Sequence, residues 1–435
     1  MALADALERD AASGRLAPGC RLPTHRDLAD FLGVTVGTVT RAYKEAARRG
    51  LVSGETGRGT YLRASGLEKT AFSVTENARA GVVDMGFTSP FPALDPDLGQ
   101  ALASLARRPD VQELLLYQPS KGRLRDRETG VLWAKRHGLR LGPENVVVCC
   151  GGQNALLCAL MALFRPGERI AADAASYPMF KTLARRLGLV LVPVKGDEGG
   201  MLPDALAEVC RKAPVSGLYV MPSCHNPTTV SLSPLRRREL ANIAETFDLR
   251  ILEDGAYDVA CGDGGEPLAA LTPKRTVFAA GVSKALAGGL RLSFLYAPED
   301  MIPKLERAAA DVVWTAPPLM AEIARLWLDD GTADAVIARK RAEAAARNVA
   351  AGEILAGLGL RQRKRGLFAW LFLPEPWRAE DFTREAAERG VVVIPDEVFL
   401  TGQIPSPHAV RLALSRPDDR RSMEKGLRII RELLG

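Results

Sequence analysis

The sequence predicts an α/β protein in three parts: a small helical module closed by a β-hairpin, a large domain on a mostly parallel sheet, and a small C-terminal α+β domain. Three observations carry this prediction. The chain has 435 residues, too many for one ordinary core, and a prior of about 150 residues per domain gives three. From Val83 onward, short β-branched runs alternate with segments of helical period, as in parallel strands covered on both faces. Ahead of that alternation, two short helices meet at a glycine and are followed by a glycine-rich hairpin.

The front module reads element by element. Leu3 to Ser13 has helical apolar spacing and stops before Gly14, and Pro18-Gly19 marks a turn. Thr24 can cap a helix over Arg26 to Leu32 that places Leu28, Ala29, Phe31 and Leu32 on its apolar face, and Gly33 ends it. A third helix runs from about Thr35 to Arg49 and stops at Gly50. Two helices around a glycine turn form the helix-turn-helix layout, whose second helix lies in the DNA major groove. Leu51-Val52-Ser53 and Gly59 to Leu62 then read as two strands of a β-wing, joined by the turn Gly54 to Gly59. On spacing alone, a plain three-helix bundle with a hairpin is the alternative.

Residues 64–82 show no sustained period and read as a linker. Beyond it, strands are expected at Val146-Val147-Val148, Ile170-Ala171-Ala172, Val190-Leu191-Val192, Gly217 to Met221, Leu249 to Leu252 and Val277-Phe278-Ala279. Helices are expected at Ala155 to Phe164, Met179 to Leu187, Asp204 to Arg211 and Pro234 to Phe247. The region from Met301 is helix-rich and supplies two further strands, Gly366 to Leu371 and Ala409 to Leu414. The resulting domains are 1–63, 83–300 and 301–435.

Composition narrows the setting. The front module carries ten Arg and Lys against seven Asp and Glu within a chain of net charge +6; this suits nucleic acid but equally a solvated helical surface. The seven cysteines include no CxxC pair, which predicts a reduced, cytoplasmic protein without structural disulfides or a metal site. The first ten residues are charged and amphipathic, unlike a signal peptide. The longest apolar run, Ala155 to Phe164, is shorter than the about 20 residues needed to cross a bilayer, so no membrane partner is expected.

Chemistry concentrates in the large domain. Lys284 follows Gly281-Val282-Ser283 and precedes Arg291; Asp254 ends an apolar run, with Tyr257 three residues on; and Asn226 precedes Pro227. An amine, an anion, a phenol and a cation in this order suit pyridoxal 5'-phosphate, whose aldehyde takes a lysine, whose ring nitrogen takes a carboxylate and whose phosphate takes an arginine. Singly, each has a plain structural reading: a surface lysine, a helix cap, a turn. Cys150-Gly151-Gly152-Gln153-Asn154 joins a strand to a helix, where backbone N–H groups form an anion site, or simply a tight turn.

Two resemblances extend these readings. Arg21-Leu22-Pro23-Thr24-His25-Arg26-Asp27-Leu28-Ala29, Leu32-Gly33-Val34-Thr35, Thr38-Val39, Ala42-Tyr43 and Gly50-Leu51-Val52 resemble the winged-helix domain of GntR-type regulators over residues 1–63. This implies contact with a double-stranded DNA operator through Arg26, Thr35, Thr38, Arg41 and the wing residue Arg58. The chain departs from the common pattern at Val36 and Thr40, where that domain usually places arginine.

Residues Asp84 to Leu434 resemble fold-type I pyridoxal-phosphate enzymes of the aspartate aminotransferase family. The resemblance implies that Lys284 carries the cofactor, Asp254 meets its ring nitrogen, and Tyr257 and Asn226 meet its phenolic oxygen. Tyr177 would stack on the ring, and Gly152, Gln153, Ser283 and Arg291 would hold the phosphate. Tyr117 would reach the phosphate of a neighbouring subunit, and Arg411 would clamp a substrate carboxylate. The chain has Thr229 where the family usually has glycine, and Gly281 where it has Ser or Thr; a small backbone adjustment and weaker cofactor binding are expected.

Gly33 to Tyr43 and Trp314-Thr315-Ala316-Pro317-Pro318-Leu319 further resemble the MocR branch of GntR regulators. That branch implies a transcription factor acting as a head-to-tail homodimer and sensing an amino acid or amine through a Schiff base at Lys284. Phe368 stands where related chains often carry histidine. The alternative is an active aminotransferase working on an amino acid and a 2-oxo acid.

Overall fold

The computed structural model describes residues 2–12, 15–16, 20–48, 51–55, 59–62, 81–262, 264–402 and 404–435. The front module has helices Ala2–Ala12, His25–Leu32 and Val36–Arg48. Thr24 caps the second through its hydroxyl, which accepts from Asp27 N at 3.2 Å. Gly33 closes that helix at φ +64°, with its N–H directed at the carbonyls of Ala29 and Asp30, a conformation that costs glycine little. Ala29, Val39, Tyr43 and Ala46 pack against Ala4, Leu7, Leu22, Val52 and Leu62, and the Tyr43 hydroxyl donates to the Pro23 carbonyl at 2.9 Å. The wing strands Val52–Glu55 and Gly59–Leu62 pair antiparallel. A third strand that the sequence reading lacks, Arg21–Leu22, pairs with Gly59–Leu62; two residues are too few to show a period. Arg58, much of the expected linker and part of the wing turn lie outside the described residues.

The body holds a seven-stranded sheet. Its order is Val146–Cys149, Ser293–Tyr296, Thr276–Gly281, Arg250–Asp254, Gly217–Val220, Arg169–Asp173 and Val190–Val194. Neighbours pair in parallel except around Ser293–Tyr296, which runs antiparallel to both of its partners. That strand is absent from the sequence reading; it opens on a serine and holds no β-branched residue. The six other strands fall where β-branched runs predict them.

A four-stranded antiparallel sheet, ordered Gly359–Arg361, Ala369–Phe372, Ala409–Leu412 and Ile394–Pro395, forms the small domain's core with helices Ala379–Glu388 and Arg420–Leu434. The strand expected at Gly366 begins instead at Ala369, leaving Leu367 and Phe368 buried ahead of it. The helix Thr332–Ile354 serves both cores: Val336, Ile337 and Ala344 pack in the large one and Ala351 in the small one. No helix among the described residues is long and apolar enough to cross a membrane.

Candidate functional site

Parallel strands present their carboxyl ends along one edge of the sheet, where ligand sites of open α/β folds form. The segments following Cys149, Asp173, Val220, Asp254 and Gly281 meet there around a cavity of about 690 Å³. Lys284, Asp254, Tyr257, Asn226, Tyr177, Gly152, Gln153, Ser283, Arg291 and Arg411 all line it. Ten of the eleven cofactor and substrate positions read from the sequence are thus brought together.

Lys284 is half-buried, and its Nζ donates to the Thr88 carbonyl at 2.7 Å. Burial, reinforced by the charges of Arg411 and Arg291, lowers its pKa to about 7. Near neutral pH the side chain is therefore a substantially uncharged amine, the form that can attack a carbonyl. Asp254 ends its strand fully inside the protein. Its Oδ2 accepts from the Tyr219 hydroxyl at 2.8 Å and its Oδ1 from Ala256 N at 3.0 Å. Burial pushes the Asp254 pKa up to about 6, against the lowering effect of these two hydrogen bonds. The group stays largely ionised at pH 7 and has a fixed orientation. Tyr219 is a site residue that the sequence reading missed; a tyrosine inside a fully buried strand must find a hydrogen-bond partner, and that is the available signal. It is held in turn by stacking on Phe180.

Asn226 accepts at Oδ1 from Arg411 Nη1 at 2.8 Å. Arg411 also donates from Nη2 to the Gly86 carbonyl at 2.6 Å, and its guanidinium lies 4.9 Å from the Phe399 ring centroid and 5.7 Å from that of Phe368. Two aromatic faces and two acceptors leave it one orientation, and its buried Nε has no partner among the described residues, so donor capacity remains for a carboxylate. Phe368 also packs edge-on against Tyr257. Thr229, where the sequence predicts a small backbone adjustment, keeps a left-handed conformation at φ +63°. A β-branched residue there costs about 1–2 kcal/mol, so the substitution is absorbed as strain.

The phosphate side is equally specific. Gly151 has φ +85°, and a Cβ there would lie 2.3 Å from Arg291 Nη2; only glycine lets the arginine pass. The helix Gly152–Leu163 begins beside it. The buried Ser283 hydroxyl has no partner among the described residues. An unpaired buried hydroxyl, an arginine and a helix start with free N–H groups fit a dianionic phosphate. With Asp254 placed for a ring nitrogen and Lys284 as an amine of lowered pKa, the residues present fit pyridoxal 5'-phosphate. Tyr177, beside Gln153, has its pKa pushed up to about 12 by burial and so stays a neutral ring at the cavity wall.

Tyr117 is the position that does not join the cavity: it is 91% exposed and packs edge-on near Trp314. In the front module, Arg26, Thr35 and Arg41 are exposed and Thr38 partly so. The Thr35 hydroxyl accepts from Thr38 N at 3.2 Å and lies 3.0 Å from the Thr38 hydroxyl, which gives both residues a role in starting the helix Val36–Arg48. The sequence reading also missed the segment Phe87–Asp95, which lines the cavity mouth and has no motif to announce it.

Comparison with known proteins agrees with this architecture. Residues 91–424 match the aminotransferase class I and II family, and residues 2–62 match the bacterial regulatory proteins of the gntR family. The uncharacterized HTH-type transcriptional regulator YdeF of Bacillus subtilis is 31% identical over 433 residues, covering 100% of this chain and 94% of its own. The vitamin B6 salvage pathway transcriptional repressor PtsJ of Salmonella typhimurium is 25% identical, covering 95% and 94%. Among solved structures, LysN, the α-aminoadipate aminotransferase of Thermus thermophilus, complexed with N-(5'-phosphopyridoxyl)-L-leucine, aligns with a TM-score of 0.73 at 25% identity over 82% of this chain and 92% of its own. The cofactor of this fold is pyridoxal 5'-phosphate, and the cavity is built for it. A DNA-reading front joined to an aminotransferase body places the chain in the MocR-type family of GntR transcriptional regulators.

Proposed function

We propose that this regulator binds a double-stranded DNA operator through residues 1–63 and senses an amino acid or amine through a Schiff base at Lys284. One observation carries the reading: a lysine of lowered pKa and an arginine with spare donors face the same cavity in a chain that also carries a helix-turn-helix. In this reading Arg26, Thr35, Thr38 and Arg41 meet the DNA, while residues 64–82 link the reader to a large domain, 83–300, and a small one, 301–435. The cofactor supplies an electrophilic carbonyl on an electron-withdrawing ring. The protein supplies the rest. Lys284 holds the carbonyl carbon, Asp254 keeps a proton on the ring nitrogen, and Asn226 and Tyr257 orient the phenolic oxygen. Tyr177 supports the ring face, and Gly152, Gln153, Ser283 and Arg291 take the phosphate. Arg411 selects amines that carry an acid group.

Exposed Tyr117 lies beside exposed Leu115, Leu116 and Trp314. An apolar patch of this kind marks an interaction surface, and a head-to-tail homodimer in which Tyr117 reaches the partner's phosphate would cover it. Amine binding then shifts the population between two arrangements of the dimer, to the extent that it binds one better. The regulator works in the cytoplasm, with its operator.

The test is Lys284→Ala in the full chain. DNA binding is expected to persist while its response to amine is lost; an unchanged response would refute the proposal. A second reading, aminotransferase activity, is favoured by the near-neutral Lys284, which could carry a proton during turnover. Turnover of amino acid and 2-oxo acid at about 1–10³ s⁻¹ would establish it.

A further inference from the structure

The segment Phe87–Asp95 bridges two parts of the fold across the cavity mouth. Just before it, Val83 N donates to the Gly390 carbonyl, Met85 N to Val392, and Ala413 N to the Met85 carbonyl, which fastens the chain to the small domain. Within it, Phe91 packs in the large core. Between Met85 and Phe91, three carbonyls two residues apart each accept from a basic side chain. Gly86 takes Arg411 at 2.6 Å, Thr88 takes Lys284 at 2.7 Å, and Pro90 takes Lys340 at 2.7 Å. The three contacts set one short stretch of main chain against a row of basic side chains.

Arg411 and Lys284 line the cavity, but Lys340 does not. It sits inside the helix Thr332–Ile354, 4% exposed. Its ammonium also donates to the Asp95 carboxylate and to the carbonyl of Leu286, two residues beyond Lys284. Three acceptors use all three of its hydrogens. A buried ammonium is costly unless paired and hydrogen-bonded, and here it joins the strap, the Lys284 loop and the helix shared by both cores. Packing alone would be served as well by methionine.

We infer that Lys340 is a positioning residue for the amine site, holding the strap Phe87–Asp95 and the Lys284 loop in one register on the helix shared by the two domains. The first two anchors of the strap are the groups that an incoming amino acid engages, and a carboxylate is a stronger acceptor for Arg411 than the Gly86 carbonyl. Lys340 is the anchor that the ligand does not touch, so the strap moves against it. That movement passes through Val83–Asp84 to the segment leading back to the DNA reader. The inference rests on the amine-sensing reading above.

The test compares full-length cofactor-loaded wild type, Lys340→Met and Lys340→Arg by amide hydrogen exchange of residues 83–95, with and without glycine as the probe amine, while following the cofactor's absorption band. In Lys340→Met, exchange in the strap is expected to be at least about tenfold faster and no longer altered by glycine, although glycine still shifts the band. Lys340→Arg is expected to restore part of the protection. Wild-type exchange and an intact glycine response in Lys340→Met would overturn the inference. If that variant does not fold, Asp95→Asn serves instead: a strap that exchanges at least severalfold faster supports the inference, and an unchanged strap overturns it. A wild-type band that no amine shifts would instead refute the sensing reading, leaving the strap result to stand on exchange alone.

Discussion

Replacing Gly281 by serine is expected to tighten cofactor binding. Gly281 ends the strand Thr276–Gly281 and lines the cavity with Ser283 and Arg291. A Cβ added there would find its nearest neighbours, the Leu292 carbonyl oxygen and Ser293 Oγ, at 3.7 Å, which is ordinary contact distance. The position is not among those with positive φ, so a side chain brings no backbone strain. A hydroxyl donating to a phosphate dianion contributes about 1.5–3 kcal/mol, less a fraction of a kcal/mol for ordering a short side chain. The net of about 1–2 kcal/mol corresponds to roughly 5–30-fold in dissociation constant. The assay titrates cofactor-free protein with pyridoxal 5'-phosphate and follows the imine absorbance. Gly281→Ala is the control, since it adds the same Cβ without the hydroxyl. If Gly281→Ser binds no more tightly than Gly281→Ala, the phosphate does not sit at this strand end and the assignment of Ser283 and Arg291 falls with it.

Two further outcomes follow from Arg411 and Lys284. Arg411→Lys keeps the charge but loses the planar fork that spans Asn226 and Gly86 while still facing a carboxylate. Binding of L-alanine, followed by the absorption band, is expected to weaken about 10–100-fold, or about 1.4–2.7 kcal/mol, while ethylamine is unaffected; equal losses for both would show that Arg411 does not read the acid group. Lys284 is expected to make the cofactor-free protein more stable as pH rises. Its pKa falls from 10.5 to about 7 on folding, so between those values the unfolded chain binds the extra proton, and stability increases with pH across that window. Below about pH 7 both states are protonated and this contribution is flat. Lys284→Met removes the slope, worth a few kcal/mol, so urea unfolding at pH 7 and pH 9 should show a smaller gain for the variant than for wild type. Parallel behaviour of the two proteins would mean that Lys284 is not desolvated.

The sheet and the site differ in how far they could be read in advance. Runs such as Val146-Val147-Val148 announce buried strands because both faces of a parallel strand are covered, and Gly33 announces a helix end because its conformation is costly for other residues. Ser293–Tyr296 is equally buried but opens on a serine, holds no β-branched residue and runs antiparallel, so no such run announces it. Motif residues clustered because each follows a parallel strand whose end the topology brings to one edge. Tyr219 and the strap escaped notice for the opposite reason: their partners, Asp254 and the three basic side chains, lie 35 to 325 residues away in the chain.

By itself the sequence determined the order of domains, the DNA-reading layout and the chemical kinds of group around Lys284, because these depend on local period, turn residues and side-chain type. Tertiary structure alone decided that the Lys284 pKa is lowered to about 7, that Asp254 is aimed by Tyr219, that Arg411 is clamped between Phe368 and Phe399, and that Lys340 pins the strap. Each of these depends on desolvation or on a partner distant in sequence, and such quantities exist only once the chain has folded.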